Sequence, residues 1–371
     1  MKSLSFEPSN GDKLALYALF KQATVGPNAS PKPGLLDFVN SAKWSAWKDL
    51  GTLSGEEAEA RYVALARRLA GPAAVAAAAP APAPAPAAAP ASGPFSSLRT
   101  LRVVPYGPHV FEVALSRPEK LNAMSSAMFA ELGAVFSELS ATAACRAVVL
   151  TGGGSRAFTS GLDLVDHAPL LGGGASAGGA DPARASARLR GTLERYQAAL
   201  SAVAACRAPV IAAVAGACIG GGVDLICAAD VRVASTDAVF SVREAALGLC
   251  ADLGTLQRLP RIVGSDSWAR EVCFTARDVP AEEALSRGLL SQLFPSPAAA
   301  REGALDIASR IAVLSPVATL GTKANLNFAR DSGAGLAAAL AFQSASSGAA
   351  LQTDDIALSV AGKYGAFDNV P

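Results

Sequence analysis

A small all-α bundle followed by a larger α/β domain is the fold that this chain of 371 residues predicts, on three observations. The first 70 or so residues hold amphipathic helical patterns and no strand pattern. An Ala/Pro-rich stretch then breaks off any core-forming sequence. From about Leu98 apolar strands alternate with helices, and two of the strands run straight into glycines. The length exceeds what one core usually organises. With 51% hydrophobic and 17% charged residues, a large buried core is expected rather than a disordered chain. A formal charge of +1 argues against a broad pull toward nucleic acid or an anionic membrane, so an anionic ligand must be met by a few placed cations.

Taken in order, "DKLALYALFKQA" reads as a helix with Leu16, Tyr17 and Phe20 on one side and Lys21 closing the apolar stripe. "SGEEAEARYVALARRLA" places Ser54 and Glu57 at capping-box spacing, then Ala58, Tyr62, Leu65 and Leu69 along one face. By residue type alone such stripes are core, and Lys21 and Lys43 are solvated charges. Gly71–Pro94 repeats Ala-Pro, which disfavours helix and has no side chains to build a core; an extended spacer reaching roughly 70 Å is expected. The expected domains are therefore 1–70, a linker over 71–94, and 95–371.

In the larger domain "TLRVVPYGPHVFEVALS" reads as two strands and "AMFAELGAVFSEL" as a helix. "CRAVVLTGGG" is a buried strand entering a glycine turn, and "APVIAAVAGACIGGG" repeats the design. Pro209–Val223 is apolar but only 15 residues long and rich in Pro and Gly, short of the roughly 20 that span a bilayer. Cys145, Cys206, Cys218, Cys227, Cys250 and Cys273 form no CxxC pair and lie among aliphatic residues, so buried reduced thiols are expected. His109 and His167 have no ligand-like neighbours in sequence, which argues against a His-rich metal site or a Ser-His-Asp triad.

Three acids stand out. Asp224 follows Gly220, Gly221 and Gly222 inside an apolar run, and Glu244 and Asp252 come downstream in "FSVREAALGLCADLG". Acids clustered in an apolar pocket raise one another's pKa and leave a neutral donor near pH 7. The glycine run opens a helix whose first N–H groups lack partners, and "SRAFTSGLDL" supplies a second glycine turn. Two such N–H groups converging would stabilise a thioester enolate.

Two resemblances sharpen these expectations. "YALFKQATVG", "KPGLLDF" and "AKWSAWKDL" are similar to the acyl-CoA-binding protein family over residues 1 to about 70. The resemblance implies a helical bundle holding acyl-CoA through Tyr17, Lys21, Lys43 and Tyr62, with Phe20 where that family usually has a further Tyr. It also implies a first helix that this sequence lacks, so an N-terminally shortened chain is expected, with any targeting peptide lost. "RPEKLNAM", "FTSGLDL" and "GACIGGGVDLICAADVRVAS" resemble the crotonase (enoyl-CoA hydratase/isomerase) superfamily over about 98–371. That resemblance implies a spiral of ββα turns with a helical C-terminal region, assembled as trimers or dimers of trimers. The N–H groups of Leu162 and Gly221 would form the oxyanion hole, and Lys120–Ala123 with Ser160, Gly161, Leu162, Asp163 and Leu164 would line the CoA-thioester groove.

The set Asp224, Glu244 and Asp252 is similar to that of the Δ3,5-Δ2,4-dienoyl-CoA isomerases within the superfamily, where hydratases carry Glu at the position of Asp224. Enoyl-CoA hydratase and Δ3-Δ2-enoyl-CoA isomerase are the alternatives within enzymes; a non-catalytic acyl-CoA scaffold is the alternative outside them. CoA would belong to the substrate, with no metal or redox cofactor. A mitochondrial or peroxisomal setting is implied, although the ending "DNVP" is not of the S-K-L type.

Overall fold

The computed structural model describes residues 9–28, 30, 33, 38–55, 57–58, 61–62, 64–65, 95–168 and 181–371. The chain divides into two compact units, Met1–Ala91 and Ser92–Pro371. The Ala/Pro spacer lies outside the described residues, as do the start of the chain and most of "KPGLLDF".

In the smaller unit α1 (Asn10–Val25) starts where Ser9 Oγ accepts the Asp12 N–H, and it ends at Gly26, whose φ of +87° suits glycine. α2 (Phe38–Lys48) packs against it. Gln22 is buried between them and is tied off at both ends of its amide: Nε2 donates to Leu53 O at 2.7 Å, and Oε1 accepts from Trp47 Nε1 at 3.2 Å. Half of the expected capping box forms. Ser54 Oγ accepts the Glu57 N–H at 3.2 Å, while the Glu57 carboxylate turns to Arg61 instead.

The larger unit is built on two sheets. Strands β1 (Leu101–Tyr106), β2 (Val110–Leu115), β3 (Ala147–Thr151), β5 (Val210–Val214), β7 (Val231–Ser235) and β10 (Gln292–Phe294) form one, in that spatial order. β1 and β2 are an antiparallel hairpin; the remaining pairs are parallel. β4 (Ala157–Thr159), β6 (Ala217–Ile219), β8 (Val239–Ser241) and β9 (Val279–Pro280) form a smaller sheet. The pairs β3/β4, β5/β6 and β7/β8 each place the first strand in the large sheet and the second in the small one. That repeat is the ββα spiral expected from the sequence.

β3 and β5 are buried throughout because both faces are covered, and their side chains sort by period two. Val148, Leu150, Val210 and Ala212 pack with Phe129, Leu132 and Phe136 of α3 (Ser126–Ala141) and Leu200 of α4 (Pro182–Ala205). Val149, Ala147, Ile211 and Ala213 face the other way, toward helix Pro297–Ala312. α5 (Gly221–Ala228) follows β6, and α6 (Thr255–Val263) and α7 (Asp266–Thr275) follow β8. Further helices run from Ala281 to Val360. Buried Arg146 and half-buried Arg207 hold the last residues down: Arg146 donates to Asn369 and Phe367, Arg207 to Val370 and Pro371. Among the described residues no single helix is long and apolar enough to cross a membrane.

Candidate active site

Two backbone turns make the first part of the site. β6 runs into Gly220, whose φ of +52° a side chain would strain and whose N–H donates to Ser241 O at 2.8 Å. A Cβ there would also sit 3.1 Å from Glu244 Oε1, so the glycine is what lets that carboxyl lie against the turn. The second turn, Ser160–Leu162, leaves β4. Gly161 (φ +90°) rides so close to the first turn that a Cβ would fall 2.8 Å from Ile219 O and 3.8 Å from Gly221 N. Leu162 is pinned between the bonds Met124 N–H to Gly161 O (2.7 Å) and Asp163 N–H to Met124 O (3.0 Å). Among the described residues, neither the Leu162 N–H nor the Gly221 N–H meets an acceptor. Two adjacent unpaired donors are what an oxyanion hole requires.

The acids stand around these donors at different depths. Glu244 opens a single 3-10 turn, Glu244–Leu247, directly after β8. It lines an apolar chamber of about 220 Å3, and its buried Oε2 has no partner. Burial, reinforced by the charge of Asp224, pushes its pKa up to about 7. Asp252 lines the same chamber at its exposed rim, and partial burial of its carboxyl raises it. Gln197 Nε2 donates to Asp252 O at 2.6 Å and ties that rim to α4.

Asp224 sits behind the wall rather than in it. It is 1% exposed, in the first turn of α5, with Oδ1 accepting the Thr255 N–H at 2.6 Å and Oδ2 unpartnered. Burial is the main cause that pushes it up to about 6 against the Thr255 hydrogen bonding, with Asp252 adding to the rise. Three acids in mutual electrostatic reach thus hold fewer than three charges near neutrality.

Of the residues expected to line the thioester groove, Ser160, Gly161, Leu162, Leu164 and Gly221 border the chamber. Lys120 and Asp163 do not. Lys120 ends an exposed 3-10 turn, and its carbonyl accepts from Ser160 Oγ at 3.5 Å. Asp163 braces the donor turn through an ion pair with Arg117 at 2.9 Å. Burial alone would raise the Asp163 carboxyl; Arg117 and the N–H groups of Asp166 and Val165 outweigh it, and the carboxyl lies low.

Several chamber residues escaped the sequence reading, His167, Tyr196 and Cys250 among them. His167 and Tyr196 meet there, with Tyr196 Oη 2.9 Å from His167 Nε2. A helical stripe, Leu189, Thr192, Leu193 and Tyr196, was the one local pattern that pointed to them. The third is Cys250, and it corrects an expectation. Cys145, Cys206, Cys218 and Cys227 are buried free thiols as expected, but Cys273 is half-buried and Cys250 is exposed on the chamber wall. It belongs to the irregular segment after the 3-10 turn, where an aliphatic sequence neighbourhood does not mean burial. Among the described residues no group of His, Cys, Asp and Glu has the arrangement of a metal site.

In the smaller unit Tyr17 and Lys43 come together, the ammonium 5.3 Å from the ring centre. Lys21 lies 5.5 Å over Trp47, and Tyr62 stands 6.4 Å from Phe20. One turn of α1 carries Tyr17 and Lys21 on the same face.

Residues 107–363 match the enoyl-CoA hydratase/isomerase family. The chain belongs to that family. Residues 1–66 match the acyl-CoA-binding protein family. Among enoyl-CoA hydratase/isomerase relatives, the human mitochondrial Δ(3,5)-Δ(2,4)-dienoyl-CoA isomerase is 43% identical over 267 residues, 72% of this chain and 80% of that protein. The peroxisomal Δ(3,5)-Δ(2,4)-dienoyl-CoA isomerase of Arabidopsis thaliana is 44% identical over 222 residues, 60% of this chain and 78% of that one. Among solved structures, a putative enoyl-CoA hydratase from Streptomyces coelicolor superposes with a TM-score of 0.64 at 34% identity, over 74% of this chain and 94% of that chain. One from Thermobifida fusca, in complex with acetoacetyl-CoA, gives 0.60 at 29% identity, over 71% of this chain and 99% of that chain.

Proposed function

We propose that the larger unit is a Δ3,5-Δ2,4-dienoyl-CoA isomerase of fatty-acid β-oxidation, and that the smaller unit binds acyl-CoA thioesters. The observation that carries this reading is the pair of carboxyls, Glu244 and Asp252, on one apolar chamber beside two unpaired N–H groups. Relatives with the same activity in their names, at 43–45% identity, support it.

The thioester oxygen accepts from the Leu162 and Gly221 N–H groups. Glu244, as carboxylate, takes a proton from C2; electrons flow into the conjugated dienolate held by the two donors. Asp252, protonated, then gives its proton to C6. One C–H bond breaks, one forms, and the double bonds move from 3,5 to 2,4. C2 and C6 are four bonds apart, at about 1.5 Å per bond, which is why one carboxyl does not serve both ends. The next turnover needs the proton returned from Glu244 to Asp252, and Asp224, electrostatically coupled to both, tunes that return. The step balances without an oxidant, reductant or metal, and CoA enters as part of the substrate.

The tether keeps captured acyl-CoA near the chamber and raises its local concentration. The working assembly in this reading is a homotrimer or homohexamer, in mitochondria or peroxisomes, the two locations named for the dienoyl-CoA isomerases above. The test is turnover of a 3,5-dienoyl-CoA followed by the ultraviolet absorbance of the conjugated product, with Asp252→Asn beside the wild type. Conversion lost in a folded Asp252→Asn, with exchange of the C2 hydrogen in D2O retained, is the expected result. Full conversion by Asp252→Asn would overturn the two-acid assignment.

A further inference from the structure

The chamber beside the acids is small. Its 220 Å3 is about one and a half times the 150 Å3 of a cavity that takes up benzene, room for roughly nine carbon-sized atoms. Carbons C1 to C6 of a dienoyl group already use most of that. A longer acyl chain has to stop at the wall, leave over the exposed rim at Cys250 and Asp252, or pass through the wall.

One part of the wall has space on both sides. Thr192 and Tyr196 of α4 border the chamber and also a second cavity of about 660 Å3 between α3 and α4. Gly133 and alanines of α3 and α4 floor that groove, and Ser137, Asp166 and Arg195 also line it. The helices pack so closely that a Cβ on Gly133 would lie 3.6 Å from Ala199 Cα. Between chamber and groove stands the Tyr196 ring, 7% exposed.

The ring is held from two directions. Phe129 stacks on it at 4.2 Å and 13°. Its hydroxyl contacts His167 Nε2 and Ser126 Oγ, each at 2.9 Å. His167, itself buried, is oriented by Asp163 O 2.8 Å from Nδ1; a carbonyl only accepts, so Nδ1 carries a proton and, in a neutral ring, Nε2 accepts from the tyrosine. The Ser126 N–H donates to Asp166 Oδ2 at 2.8 Å, and the single Ser126 hydroxyl proton is shared between that carboxylate and Tyr196 Oη. The hydroxyl end of the ring is therefore latched to the turn that directly follows the Leu162 donor.

The geometry points to Tyr196 as the residue that sets acyl chain length, a latched plug between the chamber and the α3/α4 groove. In place, it ends the acyl site; displaced, it opens the groove to the distal methylenes of a longer acyl-CoA. The occupant is saturated chain because the passage leads from the chamber's far wall onto alanine and glycine. This inference rests on the isomerase reading above, and its test separates the two.

The experiment measures kcat/KM of the full chain for 3,5-dienoyl-CoA substrates of about eight and about fourteen carbons, lengths on either side of the chamber's capacity. Each methylene newly removed from water is worth up to about fourfold, so Tyr196→Ala is expected to raise the long-to-short ratio at least about tenfold. Ser126→Ala, at an exposed position, loosens the latch without altering the ring and is expected to raise the same ratio about three- to fivefold, the worth of one hydrogen bond. If Tyr196→Ala does not fold, Ser126→Ala decides alone. A ratio within about twofold of wild type in the folded variants overturns the proposal. Absence of any wild-type dienoyl turnover overturns the isomerase reading instead; the plug is then judged by the same ratio in binding of matched saturated acyl-CoAs, compared between wild type and variants so that the smaller unit's contribution cancels.

Discussion

Asp224→Asn measures what a buried acid costs this fold. The carboxyl titrates at about 6 in the folded chain against an ordinary 3.8. Between those values the folded state keeps a proton that the unfolded state has released. Stability therefore falls as pH rises through the window, by about 1.4 kcal/mol per pH unit and about 3 kcal/mol across it. Above pH 6 both states are ionised and the slope vanishes. Asparagine keeps an oxygen for the Thr255 N–H and never ionises. Its amino group, however, faces the place where Oδ2 has no partner, a constant cost of about 1–3 kcal/mol.

The pH-dependent part separates the two effects. Relative to wild type, the variant should gain about 1.4 kcal/mol between pH 5 and pH 7.5, whatever its absolute stability. Loss of the Asp224 charge also lowers Glu244, which adds in the same direction. Guanidinium unfolding of the larger unit at the two pH values, followed by circular dichroism, gives the difference directly. A stability difference that is the same at both values, or of opposite sign, would refute the account of Asp224 as a proton-holding buried acid.

Two further outcomes follow from the site. With burial raising Glu244 to about 7 and Asp252 having to hold its proton, wild-type kcat/KM for the short dienoyl substrate should be bell-shaped, climbing as Glu244 ionises and falling at higher pH as Asp252 loses its proton, and Glu244→Gln should lose at least about 10²-fold at every pH; a flat profile between pH 5.5 and 8 would remove Glu244 as the base. Gly220→Ala places a Cβ 3.1 Å from Glu244 Oε1 at a φ of +52°, so kcat should fall at least about tenfold with KM changed far less; an unaltered kcat in the folded variant would mean that the carboxyl is not held against this turn.

Local features of the site could be read from the sequence because they are made by consecutive residues. The strand-then-glycine pattern located the Gly220 turn and "SRAFTSGLDL" the Leu162 turn, while the glycines after β3 carry neither donor, and the spacing of the acids marked all three. Burial depth could not be read this way. Asp224 and Glu244 look alike on paper, yet one, on α5, is buried against the Thr255 N–H, 31 positions away, while the other reaches the chamber. The run "VIAAVAGACI" reads as one strand, but Gly216, at a φ of +62°, breaks it into β5 and β6 in different sheets. Ser126, His167 and Tyr196 are joined across separations of 41, 29 and 70 residues, where no periodicity carries information. Cys250 misled for a related reason: its aliphatic neighbours belong to a rim, not to a core.

The two unpaired N–H groups, of Leu162 and Gly221, follow directly from β4 and β6, parallel neighbours in the smaller sheet with Thr159 opposite Cys218. Their separation is thus inherited from strand spacing, about 4.8 Å in any sheet, and owes little to the identity of nearby side chains. The three acids are mounted otherwise, on α5, on a 3-10 turn and on an irregular rim. In the proposed reaction, activation of the thioester and choice of the carbon to be protonated are consequently separable in the architecture. Substitution of those acids is therefore expected to change the fate of the proton while the two N–H groups keep their hold on the thioester oxygen.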